Sequence, residues 1–584
     1  MTTRVPGRAR PAMTLITLLA VLLSCPAAAT AQDTAGRLRE LDRSDRVDIS
    51  SIGKSPGGRD VLLATVAGRG DMEGRPAILV IAGARAAHRL GTEIALSAVE
   101  KLSEGYGTDP ELTSLLDRVN VFVIPMLSPD AERAARERPV SEHHRNDQPR
   151  DDDRDGYVDE DGPDDLNGDG WITMMRVEDP TGDYVEDDDD PGLMRIATPA
   201  RGDRPAWRLM TEGMDNDGDG RFNEDPTGGV DIGLNFPRRY PWFEPAAGDY
   251  PLSAPEARAV AQLLSDHDEI GAVFVLGTRD NLLSAWKPKP GVNDPDGNGG
   301  RIRVPLDHVL DGDAPWYEEI ARRYRETTGR AESDTLGILP PAGDPLSWAY
   351  FQMGRWAFGS SAWTPAAVSE PDSADTPTVD GRSTEDTRPE DEETVTQRKG
   401  EKDPVAAERR LLRWIRANRP EGFVDWEPVD HPDFAGRRVE VGGFVPFAGW
   451  TPPAAMRDSI VRGEVEFVLE LAGLLPRIEI VEARAESLGD GTWRISARIA
   501  NTGYLPTRTE LADRLGRPRP VRVDLETNGQ QVAGGRSVQL LDTMPGGGAA
   551  NELTWIVVGR GNGRVSISAG SPSTGSDRKE VELR

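Results

Sequence analysis

Ala77-Ile78-Leu79-Val80-Ile81-Ala82-Gly83-Ala84-Arg85-Ala86-Ala87-His88-Arg89-Leu90-Gly91-Thr92-Glu93 passes from an unbroken apolar run through a short loop into a segment of helical period. Six consecutive apolar residues read as a strand buried on both faces, the form a strand takes when helices cover both sides of its sheet. The amphipathic helix predicted over Gly91 to Glu104 and the apolar run Val119 to Met126, which ends in Ser128-Pro129-Asp130, complete a strand, helix, strand unit. Upstream, Ser51-Ile52-Gly53-Lys54-Ser55 and Arg59 precede a neighbouring strand, Val61 to Val66; downstream, Ser253 to Ser265 supplies a helix and Ala272 to Leu276 another strand. This alternation predicts an α/β class, a mixed sheet flanked by helices.

The chain has 584 residues, enough for several domains. Its 69 Lys and Arg against 99 Asp and Glu give a formal charge of −30, which repels phosphate backbones and excludes a nucleic-acid partner in the absence of a concentrated basic segment. The single cysteine, Cys25, excludes an internal disulfide and a thiolate metal site. Arg4, Arg8 and Arg10, the apolar run Met13 to Ser24, and Ala29-Thr30-Ala31 have the layout of a cleavable export signal over residues 1–31, so the protein is expected to be periplasmic or extracellular. A lipoprotein signal acylated at Cys25 is the alternative, disfavoured by Pro26 directly after it. No later run reaches the ~20 apolar residues of a membrane span.

Residues 36–365 form the first part of the α/β domain. Residues 366–404 hold Ser, Thr, Pro, Asp and Glu without an aromatic residue and read as a disordered acidic insert. Helices over Val405 to Ala417 and Ala454 to Leu475 return the chain to the domain through residues 405–475. From residue 476 to 584 short alternating runs, Ile478 to Val481, Trp493 to Ile499, Val521 to Leu525, Glu552 to Val558 and Arg564 to Ala569, predict an all-β, Ig-like sandwich. That unit, with no charged catalytic cluster, is expected to bind a protein or the main domain.

Between Asp147 and Asp190 nineteen acidic residues face three arginines. Within residues 147–225 three loops place oxygen side chains at alternate positions with Gly sixth: Asp151, Asp153 and Asp155; Asp165, Asn167 and Asp169; Asp215, Asp217 and Asp219. Alternate oxygens before a sharp turn wrap a hard cation, so calcium is the expected ion. Position twelve holds Gly162, Arg176 and Pro226 rather than a bidentate Glu, and Asp159, Asp161, Asn223 and Asp225 are the candidates to close the shells. Asp294-Pro295-Asp296-Gly297-Asn298-Gly299 is a weaker fourth copy.

The core resembles the zinc metallocarboxypeptidases of the carboxypeptidase A and B type. The resemblance rests on Gly83 to Glu93, which aligns with the family's first metal motif, on Pro125-Met126-Leu127-Ser128-Pro129-Asp130, on Gly229-Val230-Asp231-Ile232-Gly233-Leu234-Asn235-Phe236-Pro237, and on Ser253-Ala254-Pro255-Glu256. Trp348-Ala349-Tyr350 through Phe358 and Val439-Glu440-Val441-Gly442-Gly443 extend it to about Gly36 to Leu475. It implies a zinc held by His, Glu and His with an exchangeable water. At those positions stand Arg85, His88 and Gly277, with Thr278 and Arg279 following. The general base maps to Ser361, the arginine that clamps the substrate carboxylate to Leu234, its Asn partner to Gly233 and the mobile tyrosine to Leu339. Arg145 or Arg150 is the candidate for the oxyanion-stabilising arginine.

These replacements predict a catalytically inactive pseudo-peptidase that binds calcium and a peptide or other acidic ligand, in a pocket made basic by Arg85 and Arg279. The alternative is an active zinc metallocarboxypeptidase with a relocated site in which His143 and His144 join His88. Asp231 and Asn235 are expected to hold their loop by hydrogen bonds, His431-Pro432 to make a turn, and Trp348, Trp356 and Trp363 to pack in the core.

Overall fold

The computed structural model describes residues 33–70, 72, 74–85, 88–152, 154–289, 306–332, 342–365, 405–559 and 563–584. The segment read as an export signal, with Cys25, and Asp153, the fourth acidic loop, Leu339 and the segment read as an acidic insert lie outside these residues. In chain order the first strands are β1 (Val47–Lys54), β2 (Asp60–Val66), β3 (Ala77–Ala82) and β4 (Asn120–Ile124). Four follow from the acidic stretch: β5 (Met174–Glu178), β6 (Tyr184–Glu186), β7 (Met194–Ile196) and β8 (Trp207–Thr211). Then come β9 (Ile270–Leu276), β10 (Trp356–Ser360), β11 (Phe423–Pro428) and β12 (Val439–Phe444).

The main sheet has the order β1-β2-β4-β3-β9-β10. Its first two pairings are antiparallel, while β4, β3, β9 and β10 run parallel. All residues of β3, β4, β9 and β10 are buried, Asn120 and Ser360 among their apolar neighbours included. Helices Arg89–Gly105, Pro255–Asp266, Ala314–Thr328 and Ala454–Gly473 cover the sheet through Ile94, Val260, Tyr317 and Phe467. Trp348, Trp356 and Trp363 lie in the same core.

The acidic stretch is more than loops, and Val439 to Gly443 pairs with it. β12 belongs to a second sheet of order β11-β12-β5-β8-β6-β7, with Val439 opposite Val177 and Val441 opposite Met175. These four side chains form its small core. Arg176 is buried there, ion-paired to Glu440 at 2.6 Å, with its guanidinium 4.6 Å from the centroids of both Trp207 and Trp426. The charge is tolerated because a carboxylate and two ring faces replace its water. His431 does more than turn the chain: it is buried between Phe222 and Phe434 and bonds the Gly213 carbonyl at 2.9 Å.

The C-terminal unit is two four-stranded antiparallel sheets around one core that includes Ile495, Val523, Trp555 and Ile567. Its Leu505 and Leu511 enter the core of the first unit, and Thr509 Oγ1 donates to the Gly354 carbonyl at 3.0 Å. Asp313, 2% exposed, accepts the Glu510 amide at 2.6 Å, the Leu511 amide at 3.3 Å and the Tyr350 hydroxyl at 2.7 Å. Asp313→Ala strands three buried donors, so a loss of about 2–4 kcal/mol is expected in urea unfolding. Asp313→Asn, which keeps a carbonyl acceptor, should lose less than half as much.

Candidate functional site

Parallel strands β3, β9 and β10 end side by side, and a crevice beyond the carboxyl ends of such strands is where α/β sheets bind ligands. Arg85, His88, Gly277 and Ser361 all come from the segments that leave these ends. Arg85 turns to Asp231, its guanidinium 2.8 Å from a carboxylate oxygen whose side chain is 5% exposed. The other Asp231 oxygen accepts the Gly233 amide at 2.8 Å. Gly233 is the position that lets the pair close, because a Cβ there would stand 3.3 Å from the Arg85 side chain. Leu234 follows in the same short turn, Ile232–Leu234, and brings no charge to it. Asn235 holds the turn to its neighbours, donating to the Ala247 carbonyl at 2.7 Å and accepting the Ala254 amide at 3.0 Å.

His88 is 2% exposed, and its Nε2 lies 2.8 Å from the Ser361 carbonyl. A carbonyl only accepts, so Nε2 carries the proton and has no lone pair for a metal. Nδ1 packs on Gly91, where an added Cβ would approach to 2.6 Å. Burial, with the Arg330 charge nearby, holds the imidazole below its ordinary pKa and keeps it neutral. Gly277 offers only its amide, given to the Ser360 carbonyl at 3.1 Å. The three positions that the resemblance assigns to zinc thus present an engaged guanidinium, a protonated Nε2 and no side chain. This donor set does not fit zinc.

The relocated site is not assembled. His143 Nε2 bonds the Arg145 carbonyl at 2.7 Å, and His144 turns toward Glu142 at 3.5 Å. Among the described residues no group of three ligand atoms includes His88, His143 or His144. Arg145 and Arg150 both bind Asp152, Arg145 at 2.9 Å, so each candidate for the oxyanion role is neutralised where it stands. Arg279 is exposed at the rim and sits within electrostatic reach of Asp344. A cavity of about 690 Å³ lined by His143, His144, Arg145 and Asp231 opens beside the ion pair.

Behind Ser361 lies a polar cluster that no motif announced. Ser361 gives its amide and hydroxyl to Asp280 at 3.1 and 3.2 Å. Arg330 lies 3.7 Å from Asp280 and 3.9 Å from Glu464, and donates to the Tyr324 hydroxyl at 2.6 Å. Glu464, 1% exposed, accepts from Tyr324 at 2.5 Å and from the Ser360 hydroxyl at 3.0 Å. Burial pushes its carboxyl up from 4.5 to about 7. Between those values the folded chain keeps a proton the unfolded chain has lost, so stability falls as pH rises through that window. Glu464→Gln should flatten the stability curve between pH 5 and 8, removing up to ~3 kcal/mol of its fall; an unchanged slope would refute this assignment.

The acidic loops share one geometry. In each, the first carboxylate accepts the amide of the sixth-position glycine: Asp151 from Gly156 at 3.1 Å, Asp165 from Gly170 at 2.8 Å and Asp215 from Gly220 at 3.0 Å. It also accepts the fourth-position amide, from Arg154, Gly168 and Gly218, all at positive φ. The first and third loops meet, with Asp161 accepting the Asn216 amide at 3.2 Å and the Asn223 amide at 2.7 Å. Two groups offer carboxylate oxygens within 4.8 Å of one another: Asp155, Glu160 and Asp217, and Asp215, Asp217 and Asp219. Asp159 instead accepts the Gly228 amide at 3.0 Å, and Asn223 donates to the Thr211 carbonyl at 3.0 Å. Asn167 bonds Asp169 within its own loop at 3.1 Å. The Asp217 carboxyl stands above its ordinary range: the hydrogen bond from the Asp219 amide opposes the shift, and desolvation with repulsion from Asp219 and Asp215 outweighs it. Such a group fits a divalent cation.

Residues 37–167 match the family model described as zinc carboxypeptidase, and residues 477–582 match a domain of unknown function. A zinc carboxypeptidase of Saccharothrix mutabilis subsp. capreolus is 30% identical over 102 residues, 17% of this chain and 24% of that protein. Carboxypeptidase A2 of Mus musculus is 41% identical over 56 residues, 10% of this chain and 13% of its own. The chain thus spans at most about a quarter of the length of these relatives. The crystal structure of carboxypeptidase A from Helicoverpa armigera aligns at 12% identity over 56% of this chain and 61% of that one, with a TM-score of 0.30. Through residues 37–167 the chain is similar to the zinc carboxypeptidases.

Proposed function

We propose that this is an exported carboxypeptidase-like binding protein, stabilised by calcium, whose site receives a peptide or other acidic ligand and does not hydrolyse it. The Arg85–Asp231 ion pair, standing where the first zinc ligand belongs, carries the reading. A guanidinium at that position repels a dication and engages the carboxylate nearest to it. Ser361, engaged with Asp280, supplies no base for a water proton. Calcium is assigned to the first and third acidic loops, where Asp155, Glu160, Asp215, Asp217 and Asp219 would supply hard oxygen ligands. Export, inferred from the residues 1–31 pattern, places these loops in a calcium-containing compartment.

The test is metal content by plasma mass spectrometry after equilibration with zinc and calcium and exhaustive dialysis, paired with release of C-terminal residues from a peptide mixture. Calcium without zinc, and no chelator-sensitive release, is the expected result. Near-stoichiometric zinc with release would overturn the proposal.

A further inference from the structure

A second cleft, of about 860 Å³, opens against the start of helix Arg89–Gly105 and shares Arg138 and Pro446 with the cavity beside the Arg85–Asp231 pair. Its walls carry Arg37, Arg89, Arg136, Arg138, Arg419 and Arg457, against Glu93 and Glu132 alone. In a chain of net charge −30 this is a strong local reversal. Two of the arginines are tied to the acids of the wall, Arg457 to Glu93 at 2.6 Å and Arg136 to Glu132 at 2.7 Å. Arg89 and Arg138 have no carboxylate within 4 Å among the described residues. Arg89 lies 4.9 Å from the Phe447 ring centroid and bonds the Ala135 carbonyl, and Arg138 lies 5.9 Å from the Trp171 centroid. Ring stacking fixes a guanidinium while leaving its edge free to donate.

Two further observations point to an anion. Thr92, in the first turn of the helix, lines the cleft at 7% exposure, and its hydroxyl has no hydrogen-bond partner. The 17-residue helix begins without a side-chain cap, and Arg89, Thr92 and Glu93 from its start line the cleft. The Arg89 guanidinium is drawn below its ordinary pKa by burial, with the Arg136 charge adding to the shift and Glu132 opposing it.

We propose that this cleft binds a small multivalent oxyanion, a dicarboxylate or a sulfate- or phosphate-type group, held by the edges of Arg89 and Arg138 and by the Thr92 hydroxyl. It adjoins the cavity beside the Arg85–Asp231 pair through Arg138, and it does not depend on whether the site at the strand ends is catalytic. Bidentate guanidinium contacts suit any planar or tetrahedral oxyanion, so the cleft selects charge and size before chemical class.

Titration calorimetry of the full chain, saturated with calcium, with sulfate and separately with succinate tests it. Saturable one-to-one binding of at least one of them is expected. Sulfate alone would mark a tetrahedral ligand, succinate alone a carboxylate, and both a general oxyanion site. Arg138→Gln, an exposed change that spares the fold, should weaken binding about 10-fold, and Thr92→Val about 5-fold, one lost hydrogen bond. No saturation below about 10 mM for either probe, or affinity indifferent to both substitutions, would overturn the assignment.

Discussion

A chelator added to the folded protein should lower its melting temperature by roughly 10–15 °C, and calcium, but not magnesium, should return it. Each site contributes about 2.7–4.1 kcal/mol when free calcium is 100 to 1,000 times its dissociation constant. Two such sites give roughly 5–8 kcal/mol, and about 2 °C per kcal/mol applies to a domain of this size. The geometry says where the loss falls. The second acidic loop ends at Gly170, four residues before β5, and the third begins at Asp215, four residues after β8 ends. Those strands pair along their whole length. Glu212 joins the two loops, accepting the Leu166 amide at 2.8 Å and the Thr173 amide at 2.9 Å. Cation loss at the third loop, passed through Glu212 to the second, therefore loosens the end of the strand pair where Met174 faces Thr211, and the second sheet should open before the main sheet does. Asp217→Asn, at the one residue shared by both carboxylate groups, should abolish most of the calcium-dependent rise. A melting temperature unmoved by chelation, within 2 °C, would show that the loops stand by their internal hydrogen bonds alone.

What could be read in advance was what is local. β3, β4 and β9 declare themselves by their apolar runs, broken only by Asn120 at the start of β4, and the loop turns because Gly at the sixth position is the residue that tolerates φ near +90°. The second sheet was not legible. β6 and β7 have three residues each, and β5 finds its partner β12 more than 260 positions away, with Arg176 and Glu440 facing each other inside it. A buried arginine breaks the apolar pattern that sequence reading depends on, and its compensation by Glu440, Trp207 and Trp426 exists only in three dimensions. Glu464 is hidden for the same reason: an acid in a helix reads as solvent-facing until Tyr324 and Ser360 are seen beside it. At the site, Arg85, His88 and Gly277 stand where the resemblance would put His, Glu and His. The partner of Arg85 was not legible, because Asp231 lies 146 positions further on and was read only as a loop-holding residue. The proposed trio of His88, His143 and His144 failed because each ring already has a nearer carbonyl or carboxylate to bond.

The triple variant Arg85→His, His88→Glu, Gly277→His should take up zinc in a one-to-one ratio that survives dialysis, where the parent chain retains less than a tenth as much. The neighbourhood favours each change. With the guanidinium gone, Asp231 is left in reach to accept the second ring N–H of the new imidazole, the arrangement that fixes a zinc-bound histidine. Arg330, whose charge depresses the His88 pKa, would stabilise a carboxylate in its place. Gly277 has ordinary backbone geometry, and an added Cβ meets only Val275 Cγ1 at 3.8 Å, so a side chain fits without strain. The cost is the Ser361 carbonyl, which loses the Nε2–H it accepts and must find water, about 1–3 kcal/mol. Circular dichroism should show the fold intact, and zinc should then raise the melting temperature of the variant while leaving the parent unchanged. Adding Ser361→Glu is the harder step, since Ser361 is 1% exposed and gives up two bonds to Asp280. Peptide hydrolysis is therefore expected to lag behind metal binding. A folded triple variant that fails to hold zinc would mean that the three strand ends do not converge on one ion, and the correspondence of Arg85, His88 and Gly277 with the zinc ligands would have to be abandoned.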